Sequence, residues 1–449
     1  MDIFCSCCPF FILFFQIARA VPRVSFMDAC KQHGTLMTAQ PEVRKTVTED
    51  GTRIITERMD TVRSVAVGVW FETGTRDENL RQAGISHFIE HMVFKGTEKR
   101  SALRIAREIE QVGGYLNAFT GKEVTAYYAH LLDEHLPLAV DTLTDMISNS
   151  TFAEKMIQRE QGVVLEEIAS YEDTPDDVVH EDFNTLVFGS HPLGRPVLGT
   201  RKSVASFTRD DLVKYWSRNY TPKRLVVAAA GALDHDELVE MVTQRLSLPK
   251  SGKARKLTDA PVIRQHTFTR KKKIVQAHLC LGTRGLSYSD HRRYAFFVLN
   301  TVLGAGMSSR LFQRLRERHG LAYTIYSFHE AYHDTGLFGV YAGLEEKQLE
   351  RARDMILQEL TRLVDTPLSR LELRRAKDQL KGGLTLGLEN VSSRMNRLAR
   401  MEIYLGRYHP LDDLLEGIDQ VTSEDIQKLA ADLFRGEPYV STLTPEAVE

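Results

Sequence analysis

The chain has 449 residues, of which 43% are hydrophobic and 26% are charged, and its formal net charge is -2. This length exceeds what one hydrophobic core usually serves, so we expect two domains of about 200 residues each. The near-zero net charge excludes the basic balance that is typical of nucleic-acid-binding proteins. Only one of the five cysteines, Cys280, lies beyond position 30, which excludes a disulfide framework and indicates a reducing compartment.

Residues 1–40 are predicted to be a leader or a start-site extension without folded structure. Residues 10–15 are strongly apolar and residues 18–20 read Ala-Arg-Ala, like a signal-peptidase site, but no Lys or Arg precedes the apolar run. That run is also too short to span a bilayer. Three interpretations stay open: a poor signal peptide, a disordered leader, or an extension upstream of a true start at Met27 or Met37. We favour the last, because the folded pattern begins only after it.

Hydrophobic periodicity predicts strands and helices in the part of the chain that follows. An Asp-Gly pair at positions 50 and 51 predicts a hairpin between the first two strands. Thr151 and Glu154 have the spacing of a capping box at the start of a helix. The predicted strands are 45–49, 53–58, 65–71, 124–131 and 225–230, and the predicted helices are 87–91, 102–112, 136–148, 152–171 and 210–219.

Residues 87–91 read HFIEH, and this string contains the first candidates for metal binding. On a helix, positions i and i+4 lie on one face, so His87 and His91 can offer two imidazole nitrogens to one ion. Glu90 lies beside the second histidine, where its carboxylate can reach a water bound to the metal. This order of residues is the inverted zincin motif. The alternative is a polar patch on a helix surface, because short motifs recur by chance.

The helix predicted at 152–171 supplies a candidate third ligand. Glu160 and Glu167 are seven residues apart and share a helix face, whereas Glu166 points elsewhere. Two histidines and one glutamate form a common catalytic zinc set that leaves a fourth position open for water, although cobalt or manganese would also be accepted. The alternative is that a glutamate-rich helix simply has a solvated face.

The second half of the chain repeats the first in outline, as expected of a duplicated domain. A polar, basic stretch at 249–264 is predicted to link domains 41–248 and 265–449. Beyond the linker, the predicted order of elements recurs, but the helix at the position of HFIEH has no metal ligands. The metal site is therefore expected in the first half alone. The predicted elements of the second half are strands 277–282 and 336–341 and helices 292–303, 347–363 and 367–386.

Several strings resemble those of the pitrilysin-like, or insulinase-like, inverzincin zinc peptidases, a family that includes the beta subunit of mitochondrial processing peptidase. They are GISHFIEHMVFKGT from position 84, NAFTGKEVTAYY from 117 and HPLGRPVLGT from 191, together with the spacing of Glu160 and Glu167. The length and the duplication match the short, two-domain subfamily. The resemblance implies an α+β fold of two homologous domains, each a mainly antiparallel sheet flanked by helices, that form a clam-shell.

The resemblance also implies roles for residues at matching positions. His87, His91 and Glu167 correspond to the ligands of one zinc ion. Glu90 corresponds to the general base that acts on water. Glu160 corresponds to a glutamate that assists the site without binding the metal.

Two further sets of residues correspond to substrate-binding positions. Asn117, Ala118 and Phe119 correspond to an edge segment onto which the family lays an extended substrate as an added strand. Arg316 and Tyr323 correspond to a pair that reaches across the cavity from the second half. These two residues hold substrate and stabilise charge on the carbonyl oxygen, so catalysis is expected to need both domains.

The sequence therefore predicts a zinc endopeptidase for oligopeptides or presequence-like segments, in a bacterial cytoplasm, or in the periplasm if the leader is a signal peptide. The expected partners are peptides and a second subunit, in a homodimer or in a heterodimer with an inactive homologue. Neither nucleic acid nor a membrane span is expected. One alternative is a non-catalytic subunit or scaffold, although such members lose the ligands retained here. Another is a mitochondrial processing subunit, which the phenylalanine-rich leader opposes.

Overall fold

The structure is a computed structural model that describes residues 42–249, 255, 257–259 and 265–446. The predicted leader and most of the predicted linker lie outside the described residues. Two sheets flanked by helices make up the fold, and this confirms the predicted α+β class. Within the described part of the chain, no helix is both long and apolar enough to cross a bilayer.

The first sheet has six strands in the order β1-β2-β6-β3-β5-β4. All neighbouring strands are antiparallel except β2 and β6, which are parallel. The hairpin predicted at the Asp-Gly pair joins β1 to β2, and Gly51 takes a φ of 96° there. The strands are β1 (Glu42–Val47), β2 (Arg53–Arg58), β3 (Ser64–Phe71), β4 (Tyr115–Thr120), β5 (Thr125–Leu132) and β6 (Leu225–Gly231).

Eight α-helices accompany this sheet in the described residues of the first half. The capping box predicted at Thr151 and Glu154 is wrong. The helix begins at Glu154 after Ala153, which makes no side-chain cap, and the Thr151 hydroxyl instead donates to the carbonyl of Gly96. The helices are α1 (Ile85–Val93), α2 (Ala102–Glu110), α3 (Leu136–Asn149), α4 (Glu154–Glu172), α5 (Pro175–Phe188), α6 (Arg201–Ser206), α7 (Arg209–Asn219) and α8 (His235–Arg245).

Within the described residues, the second sheet repeats the topology of the first without a counterpart of β1. Its strand order is β7-β11-β8-β10-β9, and β7 and β11 are the parallel pair. The predicted duplication is therefore present in the order of the strands. The strands are β7 (Thr267–Lys272), β8 (Ala277–Gly285), β9 (Ala322–Ala331), β10 (Gly336–Leu344) and β11 (Tyr439–Pro445). The α-helices are α9 (Arg293–Gly304), α10 (Leu349–Asp365), α11 (Arg370–Gly387), α12 (Val391–Leu405), α13 (Leu411–Gln420) and α14 (Ser423–Phe434).

The two halves exchange one helix each. Helix α12 of the second half buries Met395 and Leu398 in one apolar cluster with Trp70 of the first sheet. Reciprocally, α5 of the first half buries Phe183 in a cluster with Leu337 of the second sheet. Since each sheet needs a covering helix from the other half to bury its second face, the halves are bound together by two hydrophobic cores.

Replacing Arg394 by methionine is expected to destabilise the protein by about 3–5 kcal/mol. Arg394 of α12 pairs with Glu57 of β2, whose side chain is 1% exposed, so the substitution leaves a buried carboxylate without its cation. The loss is measured by chemical denaturation. The double variant Glu57→Gln/Arg394→Met should be more stable than Arg394→Met alone, because it removes the unpaired charge; additive losses would contradict this account.

Candidate metal centre

Helix α1 is held firmly at its N-terminus by a buried carboxylate. The two oxygens of Glu78 accept hydrogen bonds from the backbone N–H groups of Gly84 at 2.8 Å and Ser86 at 2.9 Å. Anions are favourable at this end of a helix. Gly84 has a φ of 87°, and a Cβ there would lie 2.5 Å from the carbonyl oxygen of Leu198. Burial raises the pKa of Glu78 to about 7. The start of α1 is thus fixed by two hydrogen bonds to this carboxyl group and by close backbone packing.

His87 and His91 of α1 face Glu167 of α4, and we call these three residues the ligand cluster. Nε2 of His87 lies 3.6 Å from Oε1 of Glu167, and Nε2 of His91 lies 3.5 Å from Oε2. One donor atom from each residue lies within 4.8 Å of the others. Tetrahedral zinc with bonds of about 2.0–2.2 Å places its donors about 3.3–3.6 Å apart. The spacing of these side chains therefore fits one zinc ion.

Both histidines offer the nitrogen that a metal requires. Burial, with the neighbouring His91, lowers the pKa of His87 well below its ordinary value, so its imidazole is neutral. Nδ1 of His91 lies 2.9 Å from Oε1 of Glu160, and a carboxylate there favours the proton on Nδ1. Burial would lower the pKa of His91, but the hydrogen bond to Glu160 and the charge of Glu167 outweigh burial and raise it. In the neutral imidazole the lone pair of His91 is on Nε2, the nitrogen that faces Glu167.

Glu160 lies beside the ligand cluster and contacts it through His91. Its side chain is 4% exposed, and the ammonium group of Lys95 lies 2.8 Å from the oxygen that also accepts from His91. Burial would raise the pKa of the Glu160 carboxyl, but hydrogen bonds from His91 and Lys95 outweigh burial and lower it. Glu160 is therefore an ionised acceptor rather than a neutral acid.

Glu90 is half-buried beside the ligand cluster. The hydroxyl of Thr120, the last residue of β4, donates to Oε2 of Glu90 at 2.5 Å. Burial raises the pKa of Glu90 to about 7, although the hydrogen bond from Thr120 acts in the opposite direction. A carboxyl group with a pKa near neutrality suits proton transfer at physiological pH.

The predicted substrate segment lies in β4, which is an edge strand of the first sheet. Ala118 is buried, while Asn117 and Phe119 are half-buried. The backbone N–H of Ala118 donates to the side-chain oxygen of Asn117 at 2.8 Å. Because Thr120 ends the same strand, the edge runs directly to Glu90.

Arg316 and Tyr323, the residues predicted to reach across from the second half, contact each other. Arg316 lies in a π-helical segment, Phe312–Arg318, and its guanidinium carbon is 5.2 Å from the centroid of the Tyr323 ring. Tyr323, in β9 at the edge of the second sheet, is 73% exposed. Among the described residues, neither side chain forms a hydrogen bond or ion pair with the first half.

Sequence reasoning missed three residues that hold this site: Glu78, Lys95 and Thr120. Lys95 follows His91 by four positions, but α1 ends at Val93, so helical spacing alone did not predict its contact with the same glutamate. Thr120 follows Ala118 by two positions and so shares a face of β4 with it. For Glu78 the sequence carried no signal, because its partners are the backbone N–H groups of a loop and a helix end.

Comparisons with known proteins agree with this geometry. The chain is 42% identical to an uncharacterized zinc protease of Bacillus subtilis, YmxG, over 90% of this chain and 98% of that protein. It is 43% identical to an uncharacterized zinc protease of Streptomyces coelicolor, over 95% of this chain and 94% of the relative. Both relatives are matched over nearly their whole length, so the similarity is not confined to the HFIEH segment.

Solved structures share the fold at lower sequence identity. A protease from Helicobacter pylori superposes with a TM-score of 0.85 at 21% identity, covering 90% of this chain and 100% of that one. A protein from Pseudomonas fluorescens described as a peptidase M16 inactive domain gives a TM-score of 0.84 at 18% identity, covering 91% of this chain and 99% of that one.

Two family models match two successive segments of the chain. The model described as insulinase (peptidase family M16) matches residues 53–201, which contain all three residues of the ligand cluster. The model described as peptidase M16 inactive domain matches residues 206–380. The chain therefore belongs to the insulinase family of peptidases, family M16.

Proposed function

We propose that this chain, a zinc metallopeptidase, is an endopeptidase that cleaves oligopeptides or presequence-like unfolded segments with Glu90 as general base. One observation carries the proposal: the ligand cluster, Glu90 and the edge strand β4 meet at one place, where Thr120 of the strand hydrogen-bonds the base. A peptide bond held along β4 would thus lie beside both the metal ligands and a carboxylate suited to proton transfer.

Each residue of the site has a separate role in hydrolysis. His87, His91 and Glu167 would hold the zinc ion, which would supply Lewis acidity toward the scissile carbonyl and toward water. Glu90 accepts a proton from the attacking water and then transfers it to the nitrogen of the leaving amine. Thr120 holds Oε2 of Glu90, which leaves Oε1 for the proton.

The edge of β4 favours an extended substrate. A peptide that adds to a sheet edge forms backbone hydrogen bonds, so its main chain must be free of other secondary structure. We propose that Asn117, Ala118 and Phe119 form this edge for the substrate. Folded proteins would then resist cleavage, whereas short or unfolded segments would be accepted.

Arg316 and Tyr323 are proposed to act from the second half. Their mutual stacking presents a cation and a phenol together at the edge strand β9. In that role they would bind substrate and stabilise negative charge on the carbonyl oxygen when the two halves enclose it.

We also propose that the chain forms a dimer, either a homodimer or a heterodimer with an inactive homologue. Light scattering that gives the mass of a single chain under conditions of full activity would contradict pairing.

Cleavage of a quenched fluorescent peptide of about 15 residues tests the proposed activity, since a strand of that length exceeds the edge it must cover. Turnover should stop with o-phenanthroline and return with added zinc. The same sequence placed inside a stable folded domain should remain intact and become a substrate after that domain is unfolded. Absence of turnover by zinc-loaded protein on a panel of such peptides, including presequence-like ones, would overturn the proposal.

Removing zinc is expected to lower the Tm. A ligand that binds only the folded state stabilises it, by about 2.7 kcal/mol when its free concentration is 100 times its Kd. Differential scanning calorimetry with and without chelator measures the shift. The chelator should leave the Tm of Glu167→Gln almost unchanged, because this variant lacks one ligand; an equal shift in both proteins would place the metal elsewhere.

A further inference from the structure

Lys95 contacts the metal centre through one oxygen atom. Its Nζ lies 2.8 Å from Oε1 of Glu160, and the same oxygen lies 2.9 Å from Nδ1 of His91. Glu160 is almost fully buried, with its side chain 4% exposed, and Lys95 is 28% exposed. An exposed lysine pair contributes little to stability, but a cation that meets a buried carboxylate offsets a large desolvation cost. The burial of Glu160 therefore sets this pair apart from ordinary surface pairs.

The backbone around Lys95 is fixed to both helices that carry the site. The N–H of Lys95 donates to the carbonyl of Met92 in α1 at 3.0 Å. On the other side, the carbonyl of Gly96 accepts from Thr151 at 3.2 Å, and Thr97 forms a β-bridge with Ser150. Residues 150 and 151 lead directly into α4. The backbone at Lys95 is therefore held in place by hydrogen bonds to α1 and to the segment that precedes α4.

The carboxyl groups around the metal site carry more negative charge than one divalent ion can balance. Three carboxyl groups, those of Glu90, Glu160 and Glu167, surround a site for one divalent ion. When all three are ionised, their negative charge exceeds that of the ion by one unit. Lys95 supplies one positive charge, and it does so at the carboxylate that orients His91 rather than at a metal ligand.

We propose that Lys95 is a positioning residue of the zinc site. It holds the Glu160 carboxylate in the orientation that fixes the His91 imidazole, and its charge balances the carboxyl groups around the metal. The proposal rests on the roles proposed for His91 and Glu160. It does not require that the peptide substrate be known, because zinc affinity reports on it directly.

Competition with a calibrated chelator on the full chain tests this role through the Kd for zinc. Lys95→Met, which keeps the length of the side chain and removes its charge, should raise the Kd by up to about 10-fold, the lower end of the effect expected for losing a direct partner of a ligand, because Lys95 acts through Glu160. Lys95→Arg, which keeps the charge, should restore most of the affinity. Lys99→Met, at an exposed lysine four residues further on, should match the unmodified protein.

The double variant Glu160→Gln/Lys95→Met separates positioning from a general effect on folding. If Lys95 acts through Glu160, then Lys95→Met should weaken zinc binding much less in the Glu160→Gln background than in the native one. Equal effects in both backgrounds would overturn the proposal, as would an unchanged Kd in Lys95→Met. Should Lys95→Met fail to fold, Lys95→Gln takes its place in the same cycle. A protein that binds zinc in this manner yet cleaves no peptide would contradict the proposed activity and leave the role of Lys95 supported.

Discussion

Glu90→Gln is expected to lower kcat/KM by about 10²–10⁴-fold or more while the protein keeps one zinc ion per chain. Glutamine is close in size to glutamate and retains an oxygen that can accept the hydrogen bond of Thr120. Its amide has no basic oxygen to take a proton from water. Because Glu90 is not part of the ligand cluster, the donor atoms of His87, His91 and Glu167 stay in place.

Turnover of the fluorescent peptide and zinc content by atomic absorption are the two measurements for this variant. Glu98→Gln is the matched control, since Glu98 lies in the exposed loop after α1. Glu98→Gln should retain both zinc and activity. Full activity in Glu90→Gln would remove Glu90 from the mechanism, whereas loss of zinc from this variant would show that its carboxylate supports the metal.

Local periodicity identified the candidate ligands because they come from two helices, and the family resemblance then implied their roles. The four-residue spacing of His87 and His91 and the seven-residue spacing of Glu160 and Glu167 each define a helix face. The structure brings these faces together, with Glu166 exposed on another side of α4 as predicted. The doubling of the fold was also predictable, because both sheets are built from elements in the same order.

The exchange of α5 and α12 between the halves was not predictable from periodicity. An apolar face on a helix shows that the helix is packed, but not which sheet covers it. Trp70 and Met395 are far apart in the chain and share a cluster only because the second face of the first sheet is covered by α12 from the other half. The contact of Lys95 with Glu160 depends similarly on how α1 and α4 pack. For this reason side-chain partners across elements were found less reliably than residues that share one helix.

Glu167→Gln is expected to weaken zinc binding more than the about 10–100-fold that loss of an outer partner costs, and to abolish peptide turnover with it. The carboxylate of Glu167 lies within 3.6 Å of both histidine nitrogens and supplies the one anionic donor of the ligand cluster. A neutral amide at this position keeps the shape of the site but removes that charge. Two imidazoles alone then have to hold the ion.

Glu166→Gln is the control, because it makes the same chemical change one residue away on the exposed side of α4. Both variants are dialysed against the same zinc buffer, and their zinc content and Kd are compared. Glu166→Gln should remain fully loaded, and Glu167→Gln should be largely empty at a free zinc concentration that saturates the unmodified protein. Equal zinc affinity in the two variants would exclude Glu167 as a ligand, and the position of α4 against α1 would then need another explanation. Loss of zinc in Glu167→Gln but not in Glu90→Gln would also separate the roles of the two carboxylates. Glu90→Gln would then be inactive with its metal in place, and Glu167→Gln would be inactive because its metal is absent.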